Sequence, residues 1–256
     1  MENTAAGENL AAEHGLSLLI ETEKHRILFD AGQTGAFADN AEKLGLDLGT
    51  VDLAVLSHGH YDHSGGLLRF LECNDHAKIY VNQCAFDCCW HGEDHYIGVD
   101  PALCGNERLV PVGEDLRLYE NMMLCACNEK EKSHPADSFG LTVLENGVFR
   151  PDGFRHEQYL LITEGEKRIL FSGCSHKGIL NIVQWFRPDV LVGGFHFMKL
   201  DPERDAAVLE KAAMELLQYP TTYYTGHCTG EGPFAFLKER MGERLHAVHS
   251  GTMIEI

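Results

Sequence analysis

Two stretches of the chain repeat one pattern of apolar and polar positions. Leu18-Leu19-Ile20 and Ile27-Leu28-Phe29 flank a polar stretch, and Leu160-Leu161-Ile162 and Ile169-Leu170-Phe171 flank another. Each predicts a β-hairpin, because short apolar runs joined by a few polar residues fold back and pair. Both second runs begin with arginine, Arg26 or Arg168, and both lead into a small-residue turn, Asp30-Ala31-Gly32 or Ser172-Gly173-Cys174. The echo favours two halves built alike over a chance likeness. Further apolar runs at 51–56, 79–81, 190–192, 222–225 and 245–248 predict buried strands.

Helical spacing falls between these runs. Ser64 is placed to cap a helix carrying Leu67, Leu68, Phe70 and Leu71. A second helix follows His176, running through Ile179, Leu180, Ile182 and Val183 to Phe186 and stopped by Pro188. Asp201-Pro202 reads as N-cap and first-turn proline of a helix reaching about Gln218. Pro233 opens another through Phe236 and Leu237, closed near Gly242. Strands and helices alternate with no Pro/Ser-rich linker, which predicts one α/β domain over 1–256.

Composition narrows the class. Hydrophobic residues at 44% and charged residues at 23% of 256 suit a packed core and argue against disorder. Twenty-one Lys+Arg against 39 Asp+Glu give 21 − 39 = −18, a field that repels nucleic acid and anionic membrane surfaces. No apolar run approaches the ~20 residues of a spanning helix, and residues 1–6 lack the basic-then-apolar layout of a signal peptide. The expectation is a cytoplasmic protein with a small-molecule substrate; oligomeric state is not legible. Nine cysteines, an odd number, argue against a full disulfide framework. The close groups Cys84, Cys88, Cys89 and Cys125, Cys127 lack Cys-x-x-Cys spacing, so free thiols are favoured over a separate metal cluster.

The densest chemistry is Ser57-His58-Gly59-His60-Tyr61-Asp62-His63-Ser64-Gly65-Gly66, directly after a buried strand, where α/β folds place their sites. His58 and His60 point the same way in an extended segment and can grip one metal. Asp62 and His63, displaced round the turn, can grip a second. Gly59, Gly65 and Gly66 permit the tight path. A polar loop entering a helix is the plain alternative, and three histidines with an aspartate at this spacing weigh against it. Three more histidines, His176, His196 and His227, each follow an apolar run with glycine beside them.

With these residues the chain resembles the metallo-β-lactamase superfamily, whose signature the His-x-His-x-Asp-His run matches, with Asp30-Ala31-Gly32 as its upstream motif. Segments along nearly the whole chain resemble one branch, labelled for dihydropterin–ribofuranosylaminobenzene phosphate synthase. They include Ala12-Glu13-His14-Gly15-Leu16-Ser17, His156-Glu157-Gln158, Gly173-Cys174-Ser175-His176-Lys177-Gly178-Ile179, Gly193-Gly194-Phe195-His196 and His227-Cys228-Thr229-Gly230. The resemblance implies an αββα sandwich of two mixed sheets flanked by helices. It implies two divalent metal ions, zinc first, with manganese or iron as alternatives. One would be held by His58, His60 and His176, the other by Asp62, His63 and His227.

Cys174 stands where much of the superfamily has a bridging aspartate, which leaves it a thiolate ligand, a group behind the ligands, or inert, the second being favoured. Asp30 either orients the histidine loop or is a turn aspartate. Asp62 and His196 are the expected catalytic groups, His196 contacting substrate or a metal-bound phosphate. His14, Glu157 and Lys177 are pocket candidates that could equally be structural. The activity implied is hydrolysis of a small, phosphorylated or cyclic metabolite by metal-activated water. The alternatives are the branch's pterin-linked transferase reaction and, behind both, a non-catalytic metal-binding protein. Residues 83–132 read as a variable wall over the metals, with His91-Gly92-Glu93-Asp94-His95 a solvated lid loop rather than an extra metal site.

Overall fold

In the computed structural model, which describes residues 1–87 and 89–256, each predicted hairpin forms and anchors one sheet. Cys88 lies outside the described residues. The first part of the chain runs β1 (Leu18–Glu21), β2 (Arg26–Phe29), α1 (Ala36–Lys43), β3 (Leu53–Val55), α2 (Tyr61–Ser64), α3 (Leu67–Cys73), β4 (Lys78–Asn82), β5 (Cys89–His91), β6 (His95–Tyr96) and β7 (Leu109–Val112). Then come β8 (Asp115–Tyr119), β9 (Met122–Cys125), β10 (Leu141–Glu145), β11 (Val148–Pro151), β12 (Tyr159–Glu164) and β13 (Lys167–Phe171). The chain closes with α4 (Ile179–Phe186), β14 (Val190–Val192), α5 (Ala206–Leu216), β15 (Thr222–Thr225), α6 (Glu231–Met241) and β16 (Leu245–Ala247).

The two large sheets have orders β1-β2-β3-β4-β7 and β16-β15-β14-β13-β12-β9-β8. In each, an antiparallel hairpin leads into three further strands added in parallel, with Leu18 opposite Phe29 in one and Leu160 opposite Phe171 in the other. The echo in sequence is thus an echo in topology and register.

Period-two alternation divides each strand between two cores. Ile27, Phe29, Leu53 and Val55 meet Leu160, Ile162, Ile169 and Phe171 between the sheets. Leu28, Ala54 and Ile79 face outward onto Phe37, Leu67 and Phe70 of α1 and α3. On the far side Leu170, Leu191 and Tyr223 face Ile182, Leu216 and Leu237 of α4, α5 and α6. The result is helix, sheet, sheet, helix.

Some boundaries differ from the sequence expectation. The strand expected over 51–56 pairs only at Leu53–Val55. Ser64 does not cap the helix that follows; it ends α2, its hydroxyl donating to the His60 carbonyl. The longer helix α3 waits until Leu67 because Gly66 presses against the Ala31 carbonyl, where a Cβ would lie 2.1 Å from that oxygen. Asp201 closes a turn of its own by accepting from the Glu203 and Arg204 N–H groups, so α5 starts only at Ala206 and ends at Leu216. Pro233 is the third residue of α6.

The stretch 91–95 is largely solvent-exposed, as expected, and forms the tip of a hairpin instead of an irregular loop. His91 pairs with His95 in the β5–β6 hairpin, which joins a third sheet of order β11-β10-β5-β6, and Trp90 packs between Tyr96 and Phe149. The eight described cysteines are unbridged. Burial pushes the Cys125 and Cys127 thiols up to about 12, so neither is a ready nucleophile or ligand at neutral pH. No helix among the described residues is long and apolar enough to cross a membrane.

Candidate metal centre

The carboxyl ends of β2, β3, β13, β14 and β15 converge on one place. Four non-glycine residues there have positive φ: Asp30 at 60°, Ser175 at 59°, His196 at 57° and His227 at 45°. Each such conformation costs on the order of 1–3 kcal/mol and persists only where surrounding bonds impose it. For His227 the imposing group is the buried Glu2 carboxylate, which accepts its backbone N–H at 3.0 Å. Gly59 serves close approach: a Cβ there would meet the Ala85 carbonyl at 2.4 Å.

Hydrogen bonds fix which nitrogen of each key imidazole is free. The buried Asp30 carboxylate accepts from the Ser57 N–H at 2.7 Å and from the Ser57 hydroxyl at 2.7 Å. That hydroxyl has one proton, so at its 2.8 Å contact with His58 Nδ1 the imidazole donates. Asp30 also faces His63 Nδ1 at 2.6 Å, where again only the imidazole can donate. One aspartate therefore keeps the Nδ1 proton on both His58 and His63 and turns their Nε2 atoms inward, the carboxylate–histidine arrangement common behind metal ligands.

These nitrogens meet others. His58 Nε2 lies 3.2 Å from His176 Nε2, and His60 completes a buried group whose candidate ligand atoms all lie within 4.8 Å of one another. Burial, reinforced by neighbouring imidazoles, pushes His58 and His176 well below the usual histidine range and His60 down to about 3, so all three are neutral donors. His60 Nε2 and His176 Nδ1 are buried without a hydrogen-bond partner.

The second group is Asp62, His63, Cys174 and His227. His63 Nε2 lies 3.1 Å from His227 Nε2 and 3.2 Å from Cys174 Sγ; Asp62 Oδ2 lies 3.1 Å from His227 Nε2. Burial pushes the Asp62 carboxyl up, but His63 and His227 outweigh it and hold the group ionised well below its usual range. Burial likewise pushes His227 down, and Asp62 outweighs it, lifting the imidazole to about 9. Inward-facing lone pairs, orphaned imidazole nitrogens and an ionised carboxylate form a donor set that fits divalent cations.

A third group of ligand-type residues, His60, Cys89, Asp152 and His156, also lies within 4.8 Å. Apart from His60, its members are already engaged in hydrogen bonds. The Gly59 N–H donates to His156 Nδ1 at 3.0 Å, so Nε2 carries the proton and donates to Asp152 at 3.0 Å. His156 thus buttresses the histidine loop and has no lone pair left for a cation.

A cavity of about 580 Å³ opens over His176 and His196, walled by Phe139, Phe195, Phe197 and Leu200. His196 stands 4.2 Å, ring to ring, from His176. His14 does not line this cavity and sits instead beside the second group, its Nε2 3.3 Å from Asp62 Oδ2 and its ring 4.8 Å from that of His227. Glu157 and Lys177 lie inside instead of lining the cavity. Lys177 Nζ donates to the Ala126 and Glu157 carbonyls, and burial lowers its pKa. The Glu157 carboxylate accepts from the His176 and Lys177 N–H groups and from the Tyr159 hydroxyl.

Sequence reading did not single out Glu2, Asn3, Ser57 or Asp152, each a lone polar residue whose role depends on a partner elsewhere in the chain. Ser57 alone carried a hint, lying between the apolar run and the first histidine.

Residues 11–118 match the family described as the metallo-beta-lactamase superfamily. Over 272 aligned positions the chain is 29% identical to the 7,8-dihydropterin-6-methyl-4-(beta-D-ribofuranosyl)-aminobenzene-5'-phosphate synthase of Methanocaldococcus jannaschii, spanning 95% of this chain and 90% of that protein. An uncharacterized protein of the same organism is 31% identical over 208 residues, 77% of this chain and 78% of its own length. A solved structure described as a metal-dependent hydrolase of the beta-lactamase superfamily superposes with a TM-score of 0.82 at 29% identity, covering 100% of this chain and 96% of the other.

Proposed function

The chain belongs to the metallo-beta-lactamase superfamily, and we propose that it is a metal-dependent hydrolase of a small phosphorylated or cyclic metabolite. The observation that carries this reading is a pair of adjoining buried ligand groups, the first of which reaches a mostly apolar cavity through His176. His58, His60 and His176 would hold one divalent cation, and Asp62, His63 and His227 the other, with zinc, manganese or iron all compatible with nitrogen and carboxylate donors. Cations held there would supply a bound water of near-neutral pKa and polarisation of the bond under attack.

The chain's own residues do the rest. Asp30 and Ser57 hold the His58 and His63 imidazoles in the tautomer that presents Nε2. Asp62, kept ionised, can accept the water's hydrogen bond and aim it. His196 stands over the floor of the cavity, placed to hold a proton against a leaving oxygen. The phenylalanine walls exclude bulk water and favour a substrate with a flat or apolar portion. Among the described residues lining that cavity there is no lysine or arginine, so a phosphate would be held by the cations and His196.

Cys174 is read here as a group behind the ligands of the second cation: its Sγ lies 3.2 Å from His63 Nε2, and burial beside Cys228 pushes its thiol well above the usual range. Cys174→Ser is then expected to weaken binding of one metal by about 10- to 100-fold, the usual scale for disturbing a metal's surroundings. Metal titration alongside activity checks this, activity falling further than metal content; stoichiometric loss of one metal would instead make the thiol a ligand.

A second reading is supported by the methanogen synthase: a transferase joining a dihydropterin to a ribofuranosylaminobenzene phosphate, for which the aromatic walls are equally suited. One experiment separates the two. Metal-loaded protein is offered phosphodiester, phosphomonoester and lactone substrates, and in parallel the pterin and aminobenzene riboside partners. Chelator-sensitive hydrolysis of at least one ester class is expected. Joined product without hydrolysis would replace the hydrolase reading with the transferase.

A further inference from the structure

We propose that Asn3 is a positioning residue for the second metal group, fixing the imidazoles of both His227 and His14 around Asp62. The inference rests on the two-cation reading above and adds to it a residue from the far end of the chain. The orientation of the Asn3 amide is set by two backbone groups that have no choice of role. The Gly15 N–H can only donate, and it meets Oδ1 at 3.2 Å; the His227 carbonyl can only accept, and it meets Nδ2 at 3.4 Å.

With the amide so oriented, Oδ1 is also 2.9 Å from His227 Nδ1, and that nitrogen must carry a proton and donate. His227 Nε2 is left facing Asp62 at 3.1 Å and His63 at 3.1 Å. On its other side Asn3 Nδ2 lies 3.3 Å from His14 Nδ1, which must accept. His14 then carries its proton on Nε2, 3.3 Å from Asp62 Oδ2, and donates to that carboxylate. One amide thereby keeps a proton on Nδ1 of His227 and keeps Nδ1 of His14 bare, at two histidines that converge on the same oxygen. The His14 side chain is 39% exposed, so its proton on Asp62 has a path to solvent.

Asn3 parallels Asp30 across the site. Asp30 sets His58 and His63 from the first sheet, and Asn3 sets His227 and His14 from a segment tied to the end of the second. That tie is a parallel bridge between Ala5 and Ser250, with the Glu2 N–H donating to the Ser250 hydroxyl.

The test uses the full chain in wild-type, Asn3→Ala and Asn3→Asp forms. In metal-free wild-type protein, nitrogen-15 spectra of the imidazoles are expected to show a protected Nδ1–H on His227 and a bare Nδ1 on His14. In Asn3→Ala the His227 signal should lose its protection, and affinity for the more weakly held zinc should fall by about 10- to 100-fold. Asn3→Asp, which can still accept from His227 but cannot donate to His14, should recover zinc affinity without restoring the His14 tautomer. A bare Nδ1 on wild-type His227 overturns the proposal whether or not the alanine variant folds. So does unchanged zinc affinity in a folded Asn3→Ala protein. The tautomer reading needs no metal, so wild-type protein that shows the expected tautomers yet binds no zinc would instead count against the two-cation reading.

Discussion

Asp62→Ala protein is expected to lose about one equivalent of bound metal per chain and to hydrolyse its substrate about a thousandfold more slowly, with its circular dichroism unchanged. Asp62 is the only carboxylate in the second group, and its Oδ2 is the atom on which His14, His63 and His227 converge, at 3.3, 3.6 and 3.1 Å. Removing it leaves neutral imidazoles and a thiol to hold a dication, and takes away the acceptor that aims the attacking water. The loss of several kcal/mol of transition-state stabilisation corresponds to three or more powers of ten in rate. The fold should survive, because the α2 backbone is held by other bonds, such as the Ala31 N–H donating to the His63 carbonyl. Metal analysis with kcat/KM checks both halves. Unchanged metal content with activity within tenfold of wild type would contradict the ligand role.

Glu157→Ala should instead strike stability, by about 3–5 kcal/mol, the range seen when one member of a buried charged network is removed. Its side chain is fully buried, and its oxygens accept from two backbone N–H groups and the Tyr159 hydroxyl, all of which would be stranded. The Lys177 ammonium nearby would lose its compensating charge. Because the His176 N–H is among the stranded donors, the first metal group should loosen as well. Urea denaturation of the metal-free protein measures the effect. A loss below about 1 kcal/mol would mean that water or a neighbouring group replaces the carboxylate.

The sequence carried what depends on local order. The two hairpins were legible because alternating apolar runs and a shared Arg-Ile-Leu-Phe ending survive without knowledge of the partner strand. The ends of β3, β13, β14 and β15 were legible because histidine near glycine after an apolar run recurs four times, although any one alone reads as a packing or surface residue. What stayed hidden depends on long-range pairing. The third sheet joins Cys89 to Val143, more than fifty residues apart, and the β5 strand that makes the link has three residues, too few to show alternation. Glu157 and Lys177 sit in a motif-rich stretch and looked like pocket groups, yet only the tertiary fold shows both turned inward. Asn3 has no motif at all; its meaning appears once β15 brings His227 beside the opening residues.

The metal pair itself is open to a direct look. An anomalous-difference map from a crystal grown with zinc should show two peaks a few ångströms apart. One should lie about 2.0–2.2 Å from imidazole nitrogens of His58, His60 and His176, and the other at similar range from His63, His227 and Asp62. A zinc-soaked crystal with no peak in this cleft, or with these side chains turned away from one another, would contradict the account.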